Sequence, residues 1–418
     1  MADRLLTDPD VRRFLLGRTV SELGNRITRE GLPIVAILAA GATAEQLGVL
    51  AALSTLVGVA LATPAGVAAD RRRRRPLMVW CDILRAAALF SIPATAALHR
   101  LSFLQIAIVT AVVGGLTTVF DTADQAWLPQ FVSRTRLTEG NAYVMGASAV
   151  GETGGPALMG ALFQWIGGPL AIGVDALSYL ASAWSLLAIR RPEPAPVAQE
   201  ALPRASEGLS VSMRHPVLRP LLLTVATQSV FGGFFGALYE LYALQTLHMT
   251  PLLLGLLITG GGMGALIGSW VASRLDVRRA LLASALLSGL LSFLVPAARG
   301  DVAVAFAFLL GGQFLGDLAG TVFEVGERVV RQAVTPDPWL GRVNGSRNFL
   351  AALASAGGAL AAGALGGASG LRLALWVAAA GQAAATLWLV QLRPDAAQGH
   401  GGLLWGAGRA GRGVGDAS

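Results

Sequence analysis

The sequence predicts an all-α membrane protein in which twelve transmembrane helices form two pseudo-symmetric six-helix bundles. In this chain 54% of the residues are hydrophobic and 14% are charged, whereas a soluble domain carries about 25% charged residues. Apolar runs of about 20 residues recur along the chain, and each is long enough to cross a bilayer as a helix. Gln130 and Asn141 recur as Gln332 and Asn344, 202 and 203 positions later, which indicates a duplicated unit.

The predicted spans define the domain organisation. They cover residues 14–40, 45–68, 77–98, 102–124, 141–165, 169–190, 219–243, 251–273, 279–298, 303–326, 345–368 and 371–392. Residues 1–190 are predicted as the N-terminal bundle and residues 219–392 as the C-terminal bundle. The stretch 191–218, rich in proline and charge, is typical of a cytoplasmic linker. We expect the glycine-rich tail, residues 393–418, to be disordered and cytoplasmic.

Arginine predicts the orientation in the membrane, because short cytoplasmic loops accumulate positive charge. Arginine-rich segments, among them the run Arg71 to Arg75, fall on alternate connections. The connections between them hold only Arg100, Arg299 and Arg372. We therefore expect both termini in the cytoplasm. Abundant alanine and a lack of lysine favour a GC-rich bacterial genome, so the expected location is the bacterial inner or plasma membrane.

Several classes of protein are disfavoured. The single cysteine, Cys81, has no intrachain partner, and the four histidines lie at helix ends or loops without metal-ligand spacing. No glycine-rich phosphate loop is present, and the arginines sit at helix ends instead of along a nucleic-acid-binding face. We expect no metal, no cofactor and no nucleic-acid partner. An enzyme is the weakest interpretation, and the expected partners are a small-molecule substrate, protons and the bilayer, with the chain a monomer.

The stretch GVAADRRRRRP, residues 66–76, combines Gly66, Asp70, Arg71 and Arg74. Glycine lets two helices approach closely, and an aspartate and an arginine four residues apart can pair along a helical turn or reach neighbouring helix ends. A simple positive anchor at the membrane surface explains the arginines but leaves the glycine and the aspartate unexplained.

This spacing resembles the loop-two-three signature of the major facilitator superfamily, with Arg73 in place of its second glycine. Further motifs resemble the branch that contains the enterobactin exporter and the macrolide efflux pumps: CDILRAA at 81–87, FDTADQAWLPQFV at 120–132, LTEGNA at 137–142, DALSYL at 175–180 and GRVNGSRNFL at 341–350. The resemblance implies the major facilitator fold and a secondary-active exporter. It also implies that the Gly66 cluster is a conformational latch whose arginine reaches an acid on helix four, where Asp121 and Asp124 are the candidates.

The fifth span partly matches an antiporter motif of that superfamily. Gly151, Gly155, Pro156 and Gly160 fit, whereas Ala142 and Met159 stand where the motif has glycine. Small residues permit close packing on a helix of the other half, and the proline removes a backbone hydrogen bond. Ordinary packing within a membrane helix is the alternative. The resemblance implies efflux instead of uptake.

Charges inside apolar spans are costly, at about 2.5 to 3.5 kcal/mol each, so each is a functional candidate. The first span holds Arg18, Glu22, Arg26 and Glu30 at four-residue spacing on one helical face. Such a face should line a water-filled cavity, where Glu22 would titrate a proton or contact a cation. The alternative is a self-neutralised ladder that only fixes the helix against its neighbours.

The same logic selects Glu152 in span five and Asp317 and Glu324 in span ten as proton or substrate ligands. Asp82 and Arg85, three residues apart, are predicted to form a structural ion pair.

Near the outer end of span seven, Tyr239, Glu240 and Tyr242 either contribute to an exit path or belong to the interfacial aromatic belt.

The resemblance therefore implies a secondary-active efflux transporter for a small amphipathic molecule, such as a drug, antibiotic or siderophore. It would work by alternating access, with the proton gradient as the driving force. The acidic helices one and ten favour a cationic or zwitterionic amphiphile. The alternatives are a proton-coupled uptake symporter of the same fold and a non-transporting membrane scaffold or sensor.

Overall fold

The computed structural model describes residues 8–131, 136–191, 193 and 205–392, and within these residues it contains helices and no strands. The N-terminal half holds α1 (Pro9–Ala40), α2 (Ala44–Arg71), α3 (Arg74–Ala97), α4 (Phe103–Phe131), α5 (Leu137–Ile166) and α6 (Gly168–Leu187). A short helix, α7 (Ala205–Arg214), lies in the predicted linker. The predicted disordered tail, residues 393–418, lies outside the described residues.

The C-terminal half repeats the pattern of long helices. It holds α8 (Leu218–Leu241) with a π-helical turn (Tyr242–Thr246), α9 (Pro251–Ala272), α10 (Val277–Leu291), α11 (Leu294–Ala297), α12 (Val302–Val334), α13 (Asp337–Ser369) and α14 (Leu371–Ala384) with a 3₁₀ turn (Ala385–Gln391). The first six predicted spans fall on α1–α6. The last six fall on α8, α9, the pair α10 and α11, α12, α13, and α14.

Local chemistry sets several helix ends. Before α2, the backbone N–H of Gln46 donates to Thr43 Oγ1 at 3.4 Å, and the N–H of Thr43 donates to Gln46 Oε1 at 3.0 Å. This reciprocal capping box satisfies two N–H groups that the helix leaves without partners. Asp301 caps α12 by accepting from the N–H of Val304 at 2.8 Å. Gly41 ends α1 in the left-handed region, with φ of 64°, which glycine adopts without strain.

Ten helices of the described chain are long and apolar enough to cross a membrane. The two other predicted spans, α1 and α5, have 32 and 30 residues and so are also long enough. They are more polar, because α1 carries the charged ladder and α5 holds Glu152 among glycines. Several helices extend beyond the predicted spans at the arginine-rich end, where α12 ends at Val334 and α13 begins at Asp337. The residues at these ends are more polar than the spans, but the backbone hydrogen bonds of the helices continue through them. The helices are therefore longer than their apolar runs.

Two seams join the halves, with α2 packed on α13 and α5 packed on α9. Glycines allow the close approach in both. A Cβ on Gly363 of α13 would lie 2.8 Å from the carbonyl oxygen of Ala44, and a Cβ on Gly160 of α5 would lie 2.6 Å from that of Pro251. These residues are near the start of α2 and α9 and the end of α5 and α13, so both seams close the end opposite to the arginine run.

The antiporter-like residues of α5 divide between two partners. Gly160 and Pro156 face α9 of the other half, as the sequence predicts. Gly151 and Gly155 instead face α1 of the same half, where a Cβ on Gly151 would lie 3.0 Å from Glu22 Cβ. The reason is helical geometry, because α5 crosses α1 along one stretch and α9 along another.

Substituting Gly160 with valine should open the closed end, because the new side chain meets backbone atoms of α9 that cannot move aside. Overpacking of this kind costs about 1–3 kcal/mol. The measurement is electron paramagnetic resonance distance between spin labels at Gln164 and Gln245, in a chain whose buried Cys81 is first replaced by alanine. Gly160→Val should broaden the distances toward longer values.

The matched control is Gly146→Val on the same helix, since a Cβ at Gly146 meets no atom within 4 Å. Gly146→Val should keep the wild-type distances. An unchanged distribution in Gly160→Val would show that the α5–α9 contact does not hold this end closed.

Candidate functional site

A cavity of about 520 Å³ lies between the two halves. Five helices line it, α1, α2 and α4 from the N-terminal half and α8 and α13 from the C-terminal half. Small hydroxyl and amide side chains supply most of its polar surface: Asn25, Thr28, Ser54, Thr55, Thr110, Thr117, Thr118 and Ser355. Leu47 and Ala359 also line it next to the α2–α13 seam, so the cavity reaches the closed end.

The charged lining of this central cavity is mostly acidic. Three carboxylates, Glu30, Asp121 and Glu240, face one guanidinium, that of Arg29. Glu30 lies 3.6 Å from Arg29 Nε and 3.9 Å from Arg26 Nη1. Glu240 has no ion-pair partner within the described residues, and its Oε2 is buried without a hydrogen bond. The cavity therefore presents at least one uncompensated carboxylate.

The ladder on α1 forms the expected pairs and two further contacts. Arg18 Nη2 lies 3.1 Å from Glu22, whose carboxylate also accepts from Ser148 Oγ at 3.5 Å. Arg26 Nη1 lies 3.9 Å from Glu30, and its Nη2 donates to Glu152 of α5 at 2.7 Å. The ladder thus neutralises itself in part and also ties α1 to α5.

The two acids of α4 that were predicted as partners of the latch cluster make other contacts. Asp124 is buried and forms an ion pair with Arg18 of α1, so the expected contact with an arginine of the loop is replaced. Arg18 pairs with Asp124 because α1 lies beside α4 within the same half. Asp121 instead lines the central cavity.

Within the loop, Asp70 and Arg74 are 3.9 Å apart. Arg74 belongs to α3 while Asp70 belongs to α2, so the pair spans the connection and not one helical turn. Arg74 is buried, and its Nε donates to the carbonyl oxygen of Ala69 at 3.1 Å. Gly66 lies one turn before Asp70 in α2, and Arg71 is exposed at its end. A latching role for this cluster stays a prediction.

A buried polar cluster holds the N-terminal half together. The predicted pair of Asp82 and Arg85 forms, with both side chains almost fully buried. The Arg85 guanidinium lies 4.4 Å from the ring centroid of Phe120 and 4.3 Å from that of Tyr179. These cation–π contacts compensate for the loss of water around the charge. The pair is therefore structural.

Asp175 of α6 was not singled out as a charged site from the sequence. It is fully buried and accepts hydrogen bonds from Thr28 of α1 and from Ser178 Oγ at 2.7 Å. The only sequence signal was an acid inside an apolar span, since its partner Thr28 is 147 positions away.

A second cavity, of about 490 Å³, lies within the C-terminal half and holds the acids predicted on span ten. Asp317 accepts from Gln313 Nε2 at 2.8 Å and has no cationic partner in the described part of the chain. Glu324 is exposed and lines the same cavity, and Arg347 also lines it. Of the predicted proton and substrate ligands, Glu30 lines the central cavity and Asp317 and Glu324 line the second one. Glu22, Arg26 and Glu152 line neither cavity.

One buried ion cluster was missed by the sequence interpretation. Glu327 of α12 is 1% exposed and pairs with Arg331, whose Nε donates to Oε1 at 2.8 Å. Arg347 of α13 approaches the same carboxylate at 3.7 Å. The spacing of Glu327 and Arg331, four residues apart, was the signal that could have found it.

The three residues at the end of α8 have different environments. Tyr242 is fully buried; its hydroxyl accepts from Arg372 Nε at 3.1 Å and donates to the carbonyl oxygen of Ala298 at 3.3 Å. It holds the end of α8 to the rest of the C-terminal half and does not line the cavity. Of Tyr239, Glu240 and Tyr242, only Glu240 lines the central cavity.

Comparison with known proteins agrees with this architecture. The model of the Major Facilitator Superfamily matches residues 15–268, which is more than half of the 418-residue chain. Among curated proteins, the multidrug efflux pump Tap of Mycolicibacterium fortuitum is 26% identical over 377 residues, which cover 86% of this chain and 89% of that protein.

Solved transporter structures share the fold. A bacterial homologue of the iron transporter ferroportin in its inward-facing state superposes with a TM-score of 0.74 at 17% identity, covering 92% of this chain and 99% of that one. A bacterial homologue of ferroportin in its outward-facing state gives a TM-score of 0.57 at 19% identity, and the match covers 92% of this chain and 99% of that one. A bacterial homologue of the human lysosomal transporter Spinster, inward-facing and occupied, gives 0.72 at 14% identity, with 92% and 97% covered.

The family match, the helical fold and the cavity between two halves lead to the same conclusion. This chain belongs to the major facilitator superfamily, and it is a membrane transporter and not an enzyme.

Proposed function

We propose that the protein exports a small amphipathic molecule, such as a drug, antibiotic or siderophore, by alternating access in exchange for protons. The observation that carries the proposal is the central cavity, which both halves line and which the two glycine seams border at one end. A transport site between two mobile halves has this form. The relative named as a multidrug efflux pump supports export as the direction.

The seams identify the movement that the proposal requires. To release substrate at the closed end, α2 must separate from α13 and α5 from α9, while the arginine-rich ends approach one another. If the arginine-rich loops face the cytoplasm, as their charge favours, the structure is an inward-facing form. The latch cluster around Asp70 lies on the cytoplasmic side in this arrangement, at the point where the halves would meet.

Asp317 is the proposed carrier of the coupling proton. A carboxylate that is paired with a guanidinium is already engaged in a charge-assisted contact. Glu22, Glu30 and Glu152 all have such a partner on α1. Asp317 is hydrogen-bonded to the neutral Gln313 instead and lines a cavity, which leaves it free to load and unload a proton.

A cationic amphiphile is the proposed substrate class. The central cavity holds three carboxylates against one guanidinium, and Glu240 and Asp121 have no ion-pair partner among the described residues. Burying a carboxylate without a partner is costly, and a bound ammonium or phosphonium group would remove that cost. The hydroxyl and glycine surface around it leaves room for an apolar body.

Uptake by symport with protons is the second candidate, because the same cavity and carboxylates would serve it. The direction is decided by the accumulation of a fluorescent substrate in cells of a pump-deficient bacterial host. Expression of an exporter lowers the accumulation, and expression of an importer raises it. If a panel of cationic and neutral compounds accumulates equally with and without the protein, neither export nor uptake is supported.

Neutralising Asp317 should uncouple transport from the proton gradient. In proteoliposomes with an acidic lumen, the wild-type protein should concentrate tetraphenylphosphonium inside. Asp317→Asn should reduce this accumulation to the level of empty liposomes, because the asparagine cannot carry a proton, while downhill exchange of preloaded compound continues.

The matched control is Asp337→Asn, an exposed acid at the start of α13 that lines neither cavity. It should accumulate the compound as the wild type does. Gradient-driven accumulation that persists in Asp317→Asn would assign the proton to another carboxylate, and wild-type transport that ignores the pH gradient would exclude proton antiport.

Replacing Glu240 with glutamine should weaken the binding of cations selectively. The dissociation constant of tetraphenylphosphonium should rise roughly tenfold, which corresponds to about 1.4 kcal/mol. The neutral triphenylphosphine oxide should bind with unchanged affinity, because its contacts do not depend on the carboxylate. Isothermal titration of the purified protein in detergent measures both, and an equal loss for both compounds would mean that Glu240 shapes the cavity without selecting charge.

A further inference from the structure

A groove on the outer face of the N-terminal half has no role in the proposed transport cycle. It lies between the start of α3 and the end of α6 and has a volume of about 620 Å³. One wall is apolar and contains Trp80, Ile83 and Leu187, while the rim at the arginine-rich end contains Arg73 and Arg190. The groove therefore combines an apolar wall with a cationic rim at one membrane surface.

The arginines that line the groove differ in their partners, and Arg191 pairs with Asp8. Glu193, the one acid of the groove, accepts from the backbone N–H of Arg75 at 3.3 Å and also from that of Arg74. Its carboxylate thus caps the start of α3, and it forms no salt bridge with the described residues. Arg75 Nη2 donates to the carbonyl oxygen of Leu187 at 2.7 Å and so joins α3 to α6. The guanidinium groups of Arg73 and Arg190 have no carboxylate partner among the residues described.

The apolar wall of the groove is exposed. Trp80 is 62% exposed, Leu187 59% and Ile83 37%. All three lie within membrane-spanning helices, one to three turns from the arginines. Tryptophan is favoured at the boundary between headgroups and acyl chains. An acyl chain lying along this wall would cover it, and its headgroup would then be at the level of the rim.

We propose that this groove binds an anionic phospholipid of the leaflet on the arginine-rich side. Arg73 and Arg190 would hold the phosphate by charge-assisted hydrogen bonds, and an acyl chain would lie against Trp80 and Leu187. Guanidinium groups suit phosphate oxygens because their donors form a planar fork. Basic pockets between membrane helices bind lipid headgroups for the same reason. The net positive rim favours phosphatidylglycerol over the zwitterionic phosphatidylcholine.

Lipid binding to the intact purified protein tests this proposal. Native mass spectrometry in detergent would measure the affinity for phosphatidylglycerol and for phosphatidylcholine with identical acyl chains. Each arginine near a membrane surface contributes about 1 kcal/mol to binding an anionic lipid, so the double variant Arg73→Gln/Arg190→Gln should bind phosphatidylglycerol roughly thirtyfold less tightly. Its affinity for phosphatidylcholine should not change.

A matched control removes two other exposed arginines from the same end of the molecule. Arg72→Gln/Arg214→Gln loses the same charge but leaves the lining of the groove intact, and it should keep the wild-type preference. Arg73→Lys/Arg190→Lys should recover most of the preference, which guards against a variant that merely misfolds. If both glutamine variants lose the same affinity for phosphatidylglycerol, the effect comes from the net charge of the protein and not from the groove, and the proposal is overturned.

The acyl contact is tested separately from the headgroup contact. Trp80→Ala should weaken both lipids together, because the apolar wall does not distinguish headgroups. Glycerol phosphate at millimolar concentration should fail to displace phosphatidylglycerol. Displacement by glycerol phosphate, or equal affinity of the wild type for both lipids, would show that the groove does not hold an anionic phospholipid.

Discussion

A charged side chain inside a bilayer needs either an oppositely charged partner or contact with water. The charged side chains on the helices of this transporter satisfy this requirement in different ways in its two halves. In the N-terminal half, Arg18 pairs with Asp124 and Arg26 with Glu152, so that α1 is tied to α4 and α5. Arg85 is held between Asp82 and two aromatic rings. These contacts hold α1 against α4 and α5 and keep the buried guanidinium of Arg85 in place.

The C-terminal half meets the same need differently. Glu327 is neutralised by Arg331 and approached by Arg347 near the arginine-rich end. Asp317 and Glu240 lack a cationic partner in the described residues and line cavities instead. Glu240 from the C-terminal half and Asp121 from the N-terminal half both line the central cavity without an ion-pair partner among the described residues.

Glycine determines where the two halves touch. Gly48 and Gly363 let α2 approach α13, and Gly160 and Gly255 let α5 approach α9, with backbone atoms in contact across each seam. Such contacts are made by van der Waals packing alone, because lipid-facing helices gain no hydrophobic driving force from one another. They involve no salt bridge that must break before the halves separate. Seams of this kind suit a transporter whose two ends must open in turn.

Composition and apolar periodicity determined the helical membrane class and the order of the long helices, because hydropathy is a local property. Four-residue spacing was sufficient to predict the pairs of Arg18 with Glu22 and Arg26 with Glu30 on α1. The partners of Asp124 and Asp175, the isolation of Glu240 and the division of Gly151 and Gly160 between two neighbours were decided by the tertiary structure. Each of these depends on which face of a second helix, often more than 100 positions away, lies opposite, and no local pattern contains that information.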